Sequence, residues 1–386
     1  MDLEPCASRQ QRKSIDDEVK TSRKKTTSTD GKASTISSCY RRIQWTWNSS
    51  ADPFSKSQPV EWYPYSDIEN EIIEEAFTAG KAHTMLDDYH IDFEHNLQIS
   101  NNDRKRQRPI KRMEYNGYEK RVRSERFLPN PIAPRRPYGG VYGFISPFLK
   151  EVAKDLHLTK NKLPSKNPDI VSMIVEKAAL GIIEEGKEAE KQIEAERIAK
   201  MLREKKEVAE MKEVWICCAH LYTMDTFLFK KINEAMRLIG SEEHEKIWRS
   251  KVHTLGPFCL LLWDNPFNSK SAKPGTILYR GTQLSDDLIA SFEDDCSKNP
   301  KPSRSFQAFT SCTRDRNVAE MFGNTLLIMK VSLAFTVDLK TYSKFPDEEE
   351  ELLFPGVSFT IDQVNVDKDK HLIYLTLQQR HNSKSA

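Results

Sequence analysis

The sequence predicts an α+β protein, and three observations carry that reading. Residues 170 to 263 hold apolar residues at helical spacing, and from Thr276 onward the chain turns to short apolar and β-branched runs separated by turn residues. Helices in one block and strands in the next indicate segregated layers rather than alternating βα units. A separate aromatic strand–helix–strand pattern precedes both, between about residues 38 and 115, so the 386 residues divide into roughly two or three domains.

The flanks have a different composition. Residues 1–37 are Lys, Arg, Ser and Thr with few large apolar side chains. Such a segment cannot bury enough surface to offset chain entropy and is expected to be a disordered basic tail, either solvated or touching nucleic acid or acidic lipid. Hydrophobic residues make up 38% and charged residues 30%, with a formal net charge of only +2, so the basic stretches are local. Nucleic-acid contact would run through those stretches. No 18-residue apolar run is present, which argues against a membrane span, and no apolar segment follows the first charges as in a signal peptide. The seven cysteines (Cys6, Cys39, Cys217, Cys218, Cys259, Cys296 and Cys312) show neither CxxC nor zinc spacing. Reduced thiols, no metal and an intracellular location, cytoplasm or nucleus, are the expectation.

In the first folded unit, Gln44-Trp45-Thr46-Trp47 alternates as a strand, and a second aromatic cluster, Trp62-Tyr63-Pro64-Tyr65, follows a Pro/Ser-rich turn. Ser66 or Asp67 caps a helix carrying Ile68, Ile72, Ala76 and Phe77, and Gly80 ends it. Tyr89 to Phe93 and Leu97 to Ile99 read as short strands, and the basic run Arg104 to Arg112 closes the unit. The order of Trp45, Trp62, Ile68-Glu69, Tyr89-x-Ile91-Asp92-Phe93, Gln98 and Arg108-Pro109-Ile110-Lys111-Arg112 resembles the WWE domain over residues 38–115. That resemblance implies a half-barrel sheet around one helix and binding of the ADP-ribose units of poly(ADP-ribose), so poly(ADP-ribose)-modified proteins are implied partners. By the family pattern Trp47, Tyr89, Gln98 and Arg108 match ligand-contacting positions, with Trp47 standing where some readers have tyrosine. Aromatic faces can stack an adenine, Gln98 can pair with its edge and Arg108 can hold phosphate. The alternative is that the tryptophans are core and the basic run is solvated.

Residues 116–137, rich in Arg and Pro, read as a linker, and 138–209 as a long charged helical connector. Ser146-Pro147-Phe148 opens a helix there. Residues 170 to 213 read as one long helix whose second half is mostly Glu, Lys, Ala and Arg. Ile193, Ile198, Met201 and Leu202 keep no heptad, so a solvent-facing spacer is expected rather than a coiled coil.

The last block, 210–380 with a short tail at 381–386, carries three polar sites on strand patterns. Arg280 ends Leu278-Tyr279 and precedes Gly281. Ser311 lies in Phe309-Thr310-Ser311-Cys312-Thr313. Four glutamates, Glu348 to Glu351, run into Leu352-Leu353-Phe354 and a Pro355-Gly356 turn. Strand alternation sends Glu349 and Glu351 to one side as a pair and leaves Glu348 and Glu350 as solvated charge. The ordered set Arg, Ser, Glu-x-Glu, with Val318-Ala319-x-x-Phe322 after the serine and Leu221-Tyr222-Thr223 and Asn233 to Arg237 before the arginine, resembles the Arg-Ser-Glu class of mono-ADP-ribosyltransferases. The family's Ser-x-Ser reads Ser311-Cys312-Thr313 here.

The resemblance implies a split β-sandwich with a helical lead-in, NAD+ or NADP+ as co-substrate, no metal, and a protein arginine as acceptor. It implies Arg280, with Tyr279, Gly281 and Ser311, on the dinucleotide. Ser311 would hold the ribose or brace Glu351, Glu351 would stabilise the oxocarbenium-like cation, and Glu349 would deprotonate the acceptor guanidinium. Two alternatives stay open. One is a catalytically weak ADP-ribose-binding adaptor. The other is an NAD+ glycohydrolase, or a transferase with a non-arginine acceptor.

Overall fold

A computed structural model describes residues 42–55, 57, 59–115, 123, 146–159, 162–206, 210–267 and 272–378. The expected basic tail, the linker apart from Arg123, and the C-terminal tail lie outside the described residues. Within the unit that begins at Tyr40, the protein is α+β. Among the described residues no helix is long and apolar enough to cross a membrane.

The N-terminal sheet contains β1 (Arg42–Asn48), β2 (Trp62–Pro64), β3 (His83–Met85), β4 (Tyr89–Asp92), β5 (Leu97–Ser100) and β6 (Gln107–Tyr115), in the order β2-β1-β6-β5-β4-β3. Every pairing in it is antiparallel. One helix, α1 (Asp67–Thr78), packs on it. Ser66 starts that helix with a capping box: its hydroxyl accepts from the Glu69 amide, and the Glu69 carboxylate accepts from the Ser66 amide. This satisfies two of the amide groups a helix start leaves without partners. Trp45, Tyr65, Ile73, Leu86, Ile91 and Ile110 form the core beneath it.

The helical block is not a spacer. The expected single helix over 170–213 is three helices: α3 (Val171–Glu188), α4 (Gln192–Glu204) and α5 (Met211–Thr223). The chain reverses at Glu190, whose φ is +55°. Each helix keeps its own apolar face, and the reversal shifts the phase between them, which is why no heptad runs through the sequence. Ile174, Val175, Ala178, Ile198 and Leu202 are fully buried. With α2 (Pro147–Asp155), α6 (Phe227–Arg237), α7 (Glu245–Ser250) and α8 (Val252–Trp263) they form one large core that also takes in Ile68 of α1, and Leu352 and Phe354 downstream.

The second sheet is built from β7 (Ile277–Thr282), β8 (Arg304–Ser305), β9 (Thr310–Thr313), β10 (Thr325–Leu333), β11 (Thr336–Asp338), β12 (Glu350–Leu353), β13 (Ser358–Asp367) and β14 (Lys370–Gln378). Its order is β11-β12-β9-β7-β10-β14-β13-β8. Only β10 and β14 run parallel among the described strands. A single residue pair, Tyr279 with Thr313, joins β7 to β9. The sheet therefore divides there into halves. The turn expected at Pro355-Gly356 parts β12 from β13, and Gly356 takes φ +93° there, a backbone region L side chains avoid. Two helices, α9 (Asp286–Ser297) and α10 (Arg316–Glu320), flank the sheet.

Candidate active site

Arg280, Ser311 and Glu351 lie on three successive strands of the second sheet, β7, β9 and β12, beside its divide. Arg280, on β7, is buried and donates from Nη1 to the Ser311 carbonyl on β9 at 2.6 Å. Arg237, at the end of α6, lies within the field of Arg280: burial and then that like charge push its pKa down to about 10. Two neighbouring guanidiniums that disfavour each other are relieved by an anion placed between them. Tyr222 and Asn233 tie the lead-in helices to this region, Asn233 donating to the Tyr222 hydroxyl at 3.2 Å and Tyr222 donating to the Phe309 carbonyl at 3.4 Å.

Tyr279 and Gly281 lie on the other face of β7. Tyr279 packs with Ile277, Leu326, Ile328 and Tyr374, and a Cβ on Gly281 would overlap the Ala319 carbonyl of α10. Alternation along β7 turns Tyr279 and Gly281 to the face opposite the Arg280 side chain. Gly281 is needed for the close approach of α10.

The acidic stretch departs most from expectation. Pro346–Glu348 is a short 3-10 turn, and Glu349 follows it in the left-handed region at φ +45°. Glu349 thus stands before β12, not on it, and the alternation that paired it with Glu351 does not apply. An L residue there carries a strain of about 1 kcal/mol. Its carboxylate is half-exposed and paired with Lys340 Nζ at 2.8 Å; that hydrogen bond raises the pKa of Lys340. Glu348 and Glu350, expected to be solvated, are fully buried. The reason lies in Arg123, in the segment expected to be linker. Its amide and Nε donate to Glu348 Oε1 at 2.9 and 3.0 Å, its Nη2 donates to Glu348 Oε2, and Glu350 Oε2 lies 3.6 Å away.

Glu351 is buried on β12, opposite Cys312 of β9 and Asp338 of β11. Its brace is not Ser311, which sits opposite Leu352. Thr336 donates to Glu351 Oε1 at 2.5 Å and Arg314 Nη2 to Oε2 at 2.5 Å. Burial opposes ionisation of Arg314, but the Glu351 carboxylate together with Asp338 and Glu349 outweighs it and raises the arginine's pKa. Cys312 lies inside this arrangement; burial pushes its thiol up, against the pull of Arg280. Thr313, standing for the family's second serine, donates to the Glu348 carbonyl at 2.8 Å and accepts from the Asp315 amide at 3.0 Å. Its hydroxyl holds the acidic turn, and its methyl adds to a fully buried position. Glu351, Arg314, Thr336 and Asp338 line a cleft of about 590 Å³ together with Trp215, Phe267 and Tyr342. Those three rings contact one another at centroid distances of 5.3 to 6.4 Å.

Two comparisons bear on this arrangement. The sequence profile described as NAD:arginine ADP-ribosyltransferase matches residues 168–383, more than half of the chain. The chain belongs to this ADP-ribosyltransferase family. The transferase match begins at the helices taken from sequence as connector, in keeping with their place in the core. The WWE profile matches residues 43–112, so the N-terminal sheet is a WWE domain. No curated protein matches significantly. Among solved structures, the ADP-ribosyltransferase HopU1 of Pseudomonas syringae is 20% identical, with a TM-score of 0.35 over 43% of this chain and 77% of that one. The type III effector XopAI from Xanthomonas axonopodis is 14% identical, with 0.38 over 54% and 87%. The eucaryotic mono-ADP-ribosyltransferase ART2.2 is 18% identical, with 0.35 over 56% and 90%. At these scores the family assignment rests on the profile.

In the WWE domain, the pairings Gln98–Arg108, Ile91–Gln98 and Trp47–Ile110 put Trp47, Tyr89, Gln98 and Arg108 on one face of the sheet. Arg108 lies 5.4 Å over the Trp47 ring and donates from Nη1 to the carbonyls of Asn48 and Ser50 at 2.8 Å. Gln98 is buried, its Oε1 accepting from the Tyr65 hydroxyl at 2.6 Å. Burial, then the Glu69 charge, push the Tyr65 phenol up. Sequence reasoning missed Tyr65, Arg123, Arg237, Arg314 and Thr336 as site residues. Arg314 directly follows the serine motif and was findable; Thr336 and Arg123 carry no local signal.

Proposed function

We propose that the protein is an NAD+:protein-arginine mono-ADP-ribosyltransferase whose WWE domain reads poly(ADP-ribose). The observation that carries the reading is the Glu351 carboxylate, buried, oriented by Thr336 and Arg314 and opening on an aromatic cleft, with the half-exposed Glu349 two residues before it. In this reading Arg280 and Arg237 hold the diphosphate of NAD+ or NADP+, and Ser311 lies against the ribose. The C1″–N bond to nicotinamide breaks, and the ring nitrogen takes the electron pair. Glu351 stabilises the resulting oxocarbenium-like centre, an interaction stronger in the transition state than in the ground state. The acceptor guanidinium displaces Lys340 from Glu349, gives it a proton, and its nitrogen bonds C1″. The reader takes its ligand on Trp47, Tyr89, Gln98 and Arg108.

The test is labelled NAD+ with a small guanidino acceptor. Glu351→Ala is expected to lose both NAD+ cleavage and transfer, by about 100-fold or more. Glu349→Ala is expected to lose transfer and keep hydrolysis. Equal activity of wild type and both variants would remove the enzymatic reading. Loss of transfer and hydrolysis together in Glu349→Ala would favour a non-arginine acceptor.

A further inference from the structure

We propose that Arg123 is a positioning residue for Glu349, and that through it the N-terminal part of the chain is built into the catalytic loop rather than tethered to it. The inference rests on the reading that Glu349 receives the acceptor proton. Glu349 is held in a left-handed conformation that a free glutamate would leave. Something must therefore fix the residues on both sides of it. Thr313 does so in part, through the Glu348 carbonyl. The rest falls to Arg123, whose guanidinium forks Glu348 and reaches Glu350 at 3.6 Å, while its Nη1 donates to the Thr223 carbonyl at the end of α5. Both side chains of the fork are nearly or fully buried, so the contact is set by geometry and not by long-range attraction.

The same loop is gripped at two further points by residues of the N-terminal part. Arg123 lies 4.0 Å over the Phe345 ring and Arg42 of β1 lies 4.9 Å over it. Lys344 Nζ bonds Glu71 of α1 at 2.5 Å. Thus Lys344, Phe345, Glu348 and Glu350 all face residues from 42 to 123, and Glu349 is the residue of the turn left facing Lys340. Glu351 has its own supports in Thr336, Arg314 and strand pairing, none of which involves Arg123. Loosening Arg123 should therefore affect Glu349 more than Glu351. NAD+ cleavage depends on the second and transfer on the first.

The experiment measures transfer to a guanidino acceptor and NAD+ hydrolysis side by side in the full chain, for Arg123→Lys and Arg123→Ala. The ratio of the two rates is independent of the folded fraction, so a variant that merely folds poorly leaves it unchanged. The ratio is expected to fall at least fivefold in Arg123→Lys, which keeps the charge and loses the fork, and further in Arg123→Ala, with a rise in acceptor KM. An unchanged ratio in both variants overturns the proposal. Glu351→Ala runs beside them: if it still cleaves NAD+, the parent reading fails. Hydrogen exchange over residues 345–353 then still decides the structural half, faster exchange in Arg123→Lys supporting the clamp and equal exchange sinking it.

Discussion

The acidic stretch from Phe345 to Leu353 and the basic run from Arg104 to Arg112 look alike in sequence, each a short block dominated by one sign of charge. The fold treats them differently. In the basic run the first three cations, Arg104, Lys105 and Arg106, sit exposed on a turn, and the Arg106 guanidinium lies 3.7 Å from Asp103. Commitment begins where the strand begins: Arg108 to the carbonyls of Asn48 and Ser50, and Arg112 to Glu74, which also accepts from the Trp45 indole. In the acidic stretch, by contrast, three of the four glutamates are buried, and their partners, Arg123, Arg314 and Thr336, come from distant parts of the chain. A charge block is surface when its own turn keeps it in water, and structure when the fold delivers a partner to it. Composition alone does not separate the two cases.

The largest expected effect attacks the buried side of this contrast. Glu348→Ala leaves the Arg123 guanidinium buried, with the Glu350 carboxylate 3.6 Å away, and should cost about 3 to 5 kcal/mol in chemical denaturation. A loss below about 1 kcal/mol would mean the pair is effectively solvated and the contrast false. The coupling can be isolated by a double-mutant cycle with Arg123→Ala, since the double variant should be more stable than the sum of the single losses implies.

A buried carboxylate satisfied by a backbone group gives an effect that depends on pH. Glu194 accepts from the Phe227 amide at 3.2 Å; burial, then the Glu69 charge, push its pKa up to about 8. Between its ordinary value of 4.5 and about 8, the folded chain binds a proton that the unfolded chain has released. Stability therefore falls as pH rises through that window and levels off above it. Glu194→Gln should flatten this slope in melts taken from about pH 5 to 8.5, and an unchanged slope would reject the assignment.

Legibility in the sequence followed the range of the physics. The WWE strands, the Ser66 cap, the strands of the second sheet and the α6 helix were readable because period and capping are local. Arg280, Ser311 and Glu351 were found by motif order, and each lies on the divided sheet. What failed was nonlocal or depended on one backbone angle. The helix over 170–213 was misread because its apolar faces are completed by α8 and by Leu352, far along the chain. Glu349 was misplaced because one left-handed residue cancels strand alternation. Arg123 was invisible, since nothing near it in sequence hints at Glu348.

The exposed half of the comparison gives the smallest effect and the finest test. Replacing Arg104, Lys105 and Arg106 together by serine should change stability by less than about 0.5 kcal/mol, because none of them is built into the sheet. Poly(ADP-ribose) binding should weaken at low salt and return to wild type as salt rises. The slope of log affinity against log salt should shrink by roughly 0.7 for each phosphate that is no longer neutralised. Arg108→Ala should behave otherwise. Its guanidinium is fixed over Trp47 by two carbonyls, so its removal takes away a positioned donor, and the deficit should persist at every salt concentration. If the triple variant also stays defective at high salt, the turn is part of the reading surface, and exposure in this run does not mark charges that are free of function.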